Sequence, residues 1–471
     1  MDNSSKPHVV LVSSPGFGHL VCDLELGNRL AANHNVHVTF FVVVESHSSV
    51  GESELVQRAR TWNLLDIIEL PPVDISGQLE LNNAPVFTRL TTVMREIIPT
   101  LQSAISALKH SPTALIVDTF GPPMLDVADE FHMLKYVFVS SAWPHPLVLY
   151  AHVLDKEVKG DYLAQKEPLR LPGCMPVRLE DLIDPMTDRT KQEYNVFLQT
   201  GLKMREADGF LFNTWEDLEA TTLKALREEE CYGFIPVYPV GPLFRPVQLQ
   251  SSSSRSGLLD WLDQQPVESV LYIAFGSVGL GVLSAQQITE MAWGLELSQQ
   301  RFIWVLRSPN KIDELPDGFL ARTHNLGLVV TQWAPQSEIL GHPSTGGFLS
   351  HCGWNSSLES ILNGVPMIAW PLYAEQKMNA AMLTEELGVA VRPKIAPTKG
   401  IVAREEIEMM VRKVIIADNL EGKAIRTKVK ELQNSGKKAW TEGGSSFNAL
   451  SQLAKQWEMN SQAQRHKLKA P

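Results

Sequence analysis

Short apolar runs alternate with longer amphipathic segments along this chain, and the alternation begins twice. Each beginning is similar: an apolar run leads into a turn rich in glycine and serine, first at residues 14–18 and again at Gly276 and Ser277. This alternation is typical of βαβ units around a parallel sheet. The apolar runs that predict strands are residues 9–12, 36–44, 114–117, 136–139, 270–275, 302–306, 328–331, 347–350 and 366–370. The sequence therefore predicts an α/β fold of two doubly wound domains, with ligands at the carboxyl ends of the strands.

Helices are expected between the strands and towards the end of the chain. The predicted helices are residues 20–32, 87–108, 123–131 and, in a stretch rich in Lys and Glu, 405–459. Proline disrupts a helix interior, so the second helix should be kinked or broken at Pro99. Proline, glycine and serine are concentrated in residues 237–246 and 251–254, which predicts a linker between the two domains.

Charge and cysteine content exclude several classes of partner. The 471 residues include 42 Lys and Arg against 53 Asp and Glu, and the resulting net charge of −11 argues against nucleic acid binding. The longest apolar stretch, residues 36–44, is about half a membrane span, and no signal-peptide core is present. We therefore expect a cytoplasmic protein without stable membrane insertion. The 4 cysteines lack CxxC spacing, so neither a disulfide scaffold nor a metal site is expected.

His19 is the first candidate for chemistry. It follows a predicted strand and a glycine-rich turn and precedes a predicted helix. A helix N-terminus disfavours a protonated imidazole, and a neutral imidazole is what a general base requires. The alternative is a capping or surface histidine. A dinucleotide site is a weaker interpretation, because Gly16 and Gly18 are not followed by the third glycine of that motif.

Asp118 is the second candidate, at the end of the predicted strand 114–117. A carboxylate there can accept a hydrogen bond from an imidazole N–H and orient the ring. Its alternative role is the N-cap of the next helix. A His–Asp pair without a nucleophilic serine or cysteine suggests activation of an acceptor hydroxyl.

The region from Trp333 to Gln376 holds the densest set of candidate ligand contacts. Trp333 offers an indole for stacking, and the residues after it offer backbone groups for the edge of a base. A predicted strand then ends at a turn that opens a helix, and such a turn is an anion site suited to phosphate. The side chains that could donate hydrogen bonds to that anion are His351, Asn355 and Ser356.

Three further side chains in this region have two possible roles each. Glu359 could pair with two ribose hydroxyls, or it could form a capping box with Ser356. Glu375 and Gln376 could hold sugar hydroxyls, or they could form an ordinary polar first turn of a helix. Taken together, residues 333–376 predict a nucleotide-diphosphate ligand.

These motifs resemble those of the plant family 1 UDP-glycosyltransferases. Residues 333–376, from Trp-Ala-Pro-Gln to Glu-Gln, resemble the whole sugar-nucleotide signature box of that family. Similar motifs, which extend the resemblance over nearly the whole chain, are residues 14–19, 117–118, 261–266 and 275–277. Within the family, the chain most resembles the phenol-glucosylating branch, that of hydroquinone and monolignol glucosyltransferases. The motifs that carry this resemblance are residues 171–174, 238–242 and 370–379.

The resemblance implies a GT-B fold with two Rossmann-like domains and assigns a role to each candidate residue. The acceptor would bind to residues 1–245 and the UDP-sugar to residues 256–440, while the helical segment 441–471 would pack back on the N-terminal domain. His19 would be the base and Asp118 its orienting partner. The implied UDP-sugar contacts are Trp333 and Ala334 to uracil, Gln336 and Glu359 to ribose, Ser277, His351, Gly353, Asn355 and Ser356 to the diphosphate, and Trp354, Glu375 and Gln376 to the sugar.

Contacts to an acceptor are assigned from aromatic residues near these positions. Phe120 and Trp143 could form a wall for a planar phenol, although core packing would explain both equally well. Tyr373 is a third candidate.

The expected activity is inverting, metal-independent transfer of glucose from UDP-glucose to a phenolic hydroxyl, by a monomer that needs no cofactor. Three alternatives are considered. The first is glucosylation at carbon or nitrogen, and the second is an inactive protein that binds a UDP-sugar. The third, a nicotinamide oxidoreductase, would leave residues 333–376 unexplained.

Overall fold

The computed structural model describes residues 6–44, 50–75, 85–244, 252–276, 283–307, 309–417 and 419–469. The chain divides into two compact units. The first unit comprises Met1–Leu179, Pro185–Arg245 and Lys438–Pro471. The second comprises Pro246–Lys437 and a short piece of the first half of the sequence, Glu180–Asp184.

The first unit is built on a parallel sheet of seven strands in the order β3-β2-β1-β4-β5-β6-β7. Its strands are β1 (His8–Ser13), β2 (His37–Val43), β3 (Asp66–Leu70), β4 (Ala114–Val117), β5 (Leu134–Val139), β6 (Gly209–Phe212) and β7 (Val237–Pro239). Its helices are α1 (Phe17–Asn33), α2 (Val50–Arg60), α3 (Val86–Glu96), α4 (Ile98–Ser106), α5 (Leu125–Glu130), α6 (His145–Glu157), α7 (Gln192–Met204) and α8 (Ala220–Glu228). The strand order reverses direction between β1 and β4, which creates a crevice at their carboxyl ends.

The second unit repeats this architecture with six parallel strands in the order β10-β9-β8-β11-β12-β13. Its strands are β8 (Val270–Ala274), β9 (Arg301–Val305), β10 (Gly327–Val330), β11 (Thr345–Ser350), β12 (Met367–Ala369) and β13 (Ala390–Val391). The helices are α9 (Ser252–Asp263), α10 (Ala285–Ser298), α11 (Phe319–Thr323), α12 (Gln336–Leu340), α13 (Trp354–Leu362), α14 (Gln376–Ala381), α15 (Arg404–Ile415) and α16 (Leu420–Ala439). Here the reversal lies between β8 and β11. The prediction of two doubly wound α/β domains is confirmed.

The last helix, α17 (Ser445–Lys469), belongs to the first unit. Its Trp457 is fully buried, with its ring 5.6 Å from that of Tyr136 on β5. Just before α17, the indole N–H of Trp440 donates to the carbonyl of Pro242 at 2.8 Å, and Arg29 of α1 stacks on the Trp440 ring. These contacts make the C-terminal segment part of the core of the first unit.

The linker prediction was wrong at both of its ends. Residues Val237–Pro239 form the edge strand β7, where proline is tolerated because one side of an edge strand needs no ladder hydrogen bond. Helix α9 already begins at Ser252, and residues 245–251 lie outside the described part of the chain. The break predicted at Pro99 is present, because α3 ends at Glu96 and Pro99 lies in the first turn of α4.

Candidate active site

The predicted base and its partner follow the two strands where the first sheet reverses its order. Strand β1 pairs with β4, so the segments that leave their carboxyl ends start side by side. Gly16 caps α1 with a φ of 124°, a conformation that side chains rarely allow, and this turn places His19 in the first turn of the helix. Asp118 directly follows β4.

His19 and Asp118 face each other, with 3.5 Å between Nδ1 of the imidazole and Oδ2 of the carboxylate. The Asp118 side chain is 3% exposed, whereas that of His19 is 37% exposed. The Ser14 backbone N–H and hydroxyl both donate to Oδ2 of Asp118, and the Phe120 N–H donates to Oδ1 at 3.1 Å. Burial raises the pKa of Asp118, while the nearby His19 and the hydrogen bonds from Ser14 oppose that rise.

The alternative role of Asp118 as a helix N-cap is wrong. The short 3₁₀ helix that follows it, Pro122–Met124, is capped by Gly121 without a side-chain hydrogen bond. Asp118 instead closes a local turn by accepting from the N–H two residues later. Its carboxylate is therefore oriented by its own loop and by β1, with one oxygen directed at His19.

A second buried carboxylate lies near Asp118 and escaped sequence reasoning. Asp23 of α1 is 1% exposed, and its Oδ2 has no hydrogen-bond partner in the described part of the chain. Burial, and then the charge of Asp118, raise the pKa of Asp23 well above its ordinary value. Burial therefore favours the neutral form of Asp23, a second carboxyl group close to Asp118.

Aromatic rings border the imidazole. The Phe120 ring meets His19 edge to face, with 5.1 Å between ring centres, and Phe87 meets Phe120 in the same way at 5.4 Å. Phe120 was predicted, whereas Phe87, which opens α3, was not. Trp143 is buried at 4% exposure, and Tyr373 is half-buried in the second unit. Their roles in acceptor binding stay predictions.

In the second unit, the corresponding crevice is lined by Gly276 after β8 and by residues 351–353 after β11. Strands β8 and β11 are paired, so these two turns lie side by side. A Cβ atom added to either Gly276 or Gly353 would lie 2.5 Å from Nε2 of His351. The imidazole is therefore held between two glycine backbones. Ser277 lies outside the described residues.

His351 is a neutral, nearly buried donor. It is 8% exposed, and burial lowers its pKa to about 4. Its Nδ1 has no hydrogen-bond partner among the described residues. Helix α13 starts at Trp354 directly after this turn, with half-buried Asn355 and Ser356 in its first turn, so the positive end of the helix dipole lies beside the imidazole. This combination suits an anion such as a diphosphate.

Three predicted ligand residues contact one another beside α13. The side-chain amide of Gln336 donates to the Ser356 hydroxyl at 3.1 Å and to Oε2 of Glu359. Ser337 adds a hydroxyl donor to Oε1 of Glu359 at 3.0 Å. The capping-box alternative is wrong, because the N-cap of α13 is Gly353 and Ser356 already lies inside the helix. Burial raises the pKa of Glu359, and the hydrogen bond from Gln336 opposes this rise.

Trp333 presents a partly exposed ring, at 39% exposure, between β10 and α12. Arg307, just after β9, places its guanidinium 4.8 Å from the centre of that ring and donates to the carbonyl of Gly276 at 3.3 Å. Arg307 thus links the indole to the turn after β8. Sequence reasoning missed it, although the position after a strand of this sheet was a usable signal. The neighbouring Ala334 is buried, and its carbonyl accepts from the Gln336 N–H.

The two last residues of the signature box adopt a fixed arrangement at the start of α14. Oε1 of buried Gln376 accepts from the N–H groups of Leu372 and Tyr373 at 3.0 and 3.2 Å, which leaves its amide NH₂ to donate elsewhere. Glu375 is the N-cap position of α14, so the alternative of an ordinary acidic first turn is wrong for it. The side chain of Asn379, missed by sequence reasoning, donates both to the Cys352 carbonyl and to Oε1 of Glu375. Trp354, a predicted sugar contact, is buried at 3% exposure.

The described residues contain no group of three or more His, Cys, Asp or Glu side chains that could hold a metal ion. Among the helices searched in that same part of the chain, none combines the length and apolar character needed to cross a membrane.

Comparison with known proteins identifies relatives along the whole chain. Residues 258–420 match the family model described as UDP-glucoronosyl and UDP-glucosyl transferase. Anthocyanidin 3-O-glucosyltransferase 5 of Manihot esculenta is 52% identical, over 98% of this chain and 98% of that protein. Hydroquinone glucosyltransferase of Rauvolfia serpentina is 41% identical, over 96% of this chain and 98% of that protein.

Comparison with a solved structure shows that the similarity extends to the fold. The crystal structure of TcCGT1 in complex with UDP is 47% identical to this chain and superposes with a TM-score of 0.88. The match covers 97% of this chain and 100% of that one. Both units are thus similar to a solved protein that binds UDP.

Proposed function

Because this chain belongs to the plant family 1 UDP-glycosyltransferases, we propose that it transfers glucose from UDP-glucose to a hydroxyl of a small phenolic plant metabolite. The transfer inverts the anomeric carbon, needs no metal and gives a β-glucoside. The observation that carries this proposal is the buried Asp118 carboxylate directed at a half-exposed His19 whose ring is bordered by Phe120. Such a site offers a base to a hydroxyl and an apolar edge to the ring that carries it.

His19 removes the phenol proton in this mechanism. Asp118 lies next to Nδ1, so it favours the tautomer with the proton on Nδ1 and leaves Nε2 to accept a proton. As Nε2 takes the proton, the phenol oxygen forms a bond to the anomeric carbon, and the bond from that carbon to UDP breaks with its electron pair leaving on the diphosphate. A phenol with a pKa near 10 is within easier reach of an imidazole than an aliphatic alcohol.

The donor is held by the second unit. Trp333 stacks on uracil, beside the backbone of Ala334, and Gln336 and Glu359 hold the ribose. The neutral donors His351, Asn355 and Ser356, with the N-terminus of α13, stabilise the charge that develops on the departing diphosphate.

The sugar is held by a separate group of residues in the same unit. Trp354, Glu375 and the NH₂ group of Gln376 contact its hydroxyls. Because the diphosphate is held by neutral donors and a helix dipole, a chelator should leave the transfer rate unchanged.

Two features favour this function over its alternatives. An inactive UDP-sugar-binding protein would have no need of the His19–Asp118 pair, whose carboxylate is buried and hydrogen-bonded. The names of the two curated relatives, an anthocyanidin and a hydroquinone glucosyltransferase, favour phenolic oxygen as the acceptor over carbon or nitrogen.

The test is incubation of the full chain with UDP-glucose and a panel of phenols, aliphatic alcohols and aromatic amines. Mass spectrometry detects the glucoside, and NMR of the anomeric proton and of the attachment site gives the configuration and the atom that is glucosylated. We expect β-O-glucosides of phenols. An α-glucoside, attachment at carbon or nitrogen alone, or UDP binding without any product would each contradict the proposal.

Arg307 should support the uracil platform, which is the Trp333 ring proposed to stack on uracil. Replacing Arg307 with methionine removes the cation–π contact to Trp333 and the hydrogen bond to Gly276, while a long apolar side chain remains. Since a partly desolvated cation–π contact is worth about 1 kcal/mol, the dissociation constant for UDP should rise roughly fivefold. Isothermal titration calorimetry with UDP measures this change.

Arg322→Met is the matched control for this prediction. The Arg322 guanidinium lies 4.9 Å from the ring centre of Trp293, so the same kind of contact is lost elsewhere in the second unit. The control should bind UDP as the wild type does. Equal UDP affinities for Arg307→Met and Arg322→Met would show that Arg307 does not support the platform.

A further inference from the structure

A short segment from the first half of the sequence, Glu180–Asp184, belongs to the second unit. Two of its carboxylates pair with cations there. Asp181 accepts from both terminal nitrogens of Arg392, at 3.0 and 3.4 Å, and Asp184 pairs with the Lys377 ammonium at 2.7 Å. The Arg392 and Asp181 side chains are 17% and 8% exposed, so this pair is largely shielded from water. Lys377 is 12% exposed, whereas Asp184 is 38% exposed and keeps contact with solvent. The segment is therefore anchored at two separate points.

Asp184 has a second contact, with the backbone of Ala374. Its Oδ2 accepts from the backbone N–H of Ala374 at 2.5 Å, and its own backbone N–H is directed at the Ala374 carbonyl at 3.4 Å. Both polar backbone groups of Ala374 thus face one residue. The carboxylate, with one oxygen on Lys377 and the other on Ala374, joins the backbone before α14 to the first turn of that helix.

Ala374 needs such support because its backbone is strained. Its φ is 57°, in the left-handed region, which is unfavourable for a residue with a Cβ atom. A hydrogen bond to a charged group is stronger than one between neutral groups, so the bond from the Ala374 N–H to Asp184 opposes this strain. Glu375 and Gln376 follow directly, so the left-handed turn sets the direction in which both of them leave the sheet.

We propose that Asp184 is a positioning residue for the donor sugar, which holds the left-handed turn at Ala374 and thereby places Glu375 and Gln376 against the sugar hydroxyls. This inference rests on the proposed function, because it takes these two residues as the sugar contacts. It assigns part of the selectivity for the sugar to a residue outside the signature box.

The test separates binding of the sugar from binding of the nucleotide. Asp184→Ala should leave the dissociation constant for UDP within about twofold of the wild type, because Trp333, His351 and the start of α13 are untouched. The dissociation constant for UDP-glucose should rise about tenfold, the equivalent of one lost charge-assisted hydrogen bond. The preference for UDP-glucose over UDP-galactose in kcat/KM should fall with it.

Two further variants control for a purely structural effect. Asp181→Ala breaks the other ion pair of the same segment without touching Ala374, and it should keep the wild-type ratio of the two dissociation constants. Ala374→Gly removes the cost of the left-handed backbone, so adding it to Asp184→Ala should recover most of the affinity for UDP-glucose. The same rescue keeps the test decisive if Asp184→Ala alone folds poorly.

Each outcome bears on one proposal. A parallel loss of UDP and UDP-glucose affinity in Asp184→Ala, an unchanged ratio of the two, or no recovery on adding Ala374→Gly would overturn the positioning role. If the wild type itself binds UDP-glucose but forms no glucoside, the proposed function fails first. The positioning role can still be judged from the binding data in that case.

Discussion

Replacing His19 with alanine should lower kcat for a weakly acidic phenol by about 10²–10⁴-fold, the range that general-base assistance contributes. The variant should bind UDP-glucose with an affinity within about twofold of the wild type, because the residues assigned to the donor belong to the second unit. The imidazole that faces Asp118 is removed, whereas the buried carboxylate keeps its hydrogen bonds from Ser14 and Phe120. The loss should therefore fall on kcat far more than on donor binding.

The acidity of the acceptor distinguishes a lost base from a damaged structure. An acidic phenol that is already ionised at the assay pH needs no base, so His19→Ala should lose much less activity with it. Initial rates across a series of phenols of graded acidity measure this dependence. His110→Ala, at an exposed histidine of the same unit, is the matched control and should retain wild-type rates. A loss that is uniform across the series, or near-wild-type turnover throughout, would remove His19 from the role of base.

Asp118→Asn tests whether the pair acts as one unit. Asparagine keeps the size of the side chain but removes the negative charge beside Nδ1, so the imidazolium that forms in the reaction loses its stabilising partner. We expect a large loss of kcat, and a double variant with His19→Ala that is no worse than His19→Ala alone, since effects of residues in one catalytic unit do not add. Additive losses would indicate that the two residues act separately.

Features with a local signature were predictable from the sequence. The strands that precede His19 and Asp118 are strongly apolar runs, and each predicted strand is present with boundaries shifted by at most two residues. The family assignment made from residues 333–376 is confirmed by relatives that match over nearly the whole chain. Short strands were missed because they are defined by pairing: β13 has 2 residues and lies at a sheet edge, beside β12.

The residues that sequence reasoning missed act through tertiary contacts. Asp184 is separated by 190 positions from Ala374, and Arg307 reaches Trp333 from a neighbouring strand of the sheet. Asn379 is the last residue of the segment 370–379, which resembles the phenol-glucosylating branch. Its hydrogen bonds to Cys352 and Glu375, however, depend on how α14 packs beside the turn after β11. The capping-box alternative for Ser356 and Glu359 failed for a related reason. Its spacing suited a helix with Ser356 as the N-cap, but the N-cap is Gly353, three residues earlier.

Gly353→Ala should weaken UDP binding by about 5- to 150-fold, which corresponds to the 1–3 kcal/mol typical of overpacking. Backbone strain does not cause this effect, because Gly353 has φ −60° and ψ 138°, which alanine adopts readily. The new Cβ would instead lie 2.5 Å from Nε2 of His351. The imidazole cannot easily move away from this Cβ, because the backbone of Gly276, in the turn after β8, approaches the same nitrogen.

The displaced imidazole is the reason for the predicted loss, and a double variant tests that reason. Titration calorimetry with UDP should show that Gly353→Ala costs far less affinity when His351 is already alanine, because no ring remains to be displaced. Gly257→Ala is the matched control: its Cβ would meet nothing within 4 Å, and it should bind UDP as the wild type does. Thermal unfolding of all the variants separates lost binding from lost folding. An unchanged UDP affinity in Gly353→Ala, or equal losses with and without His351, would show that the imidazole held between the two glycines is not the anion donor.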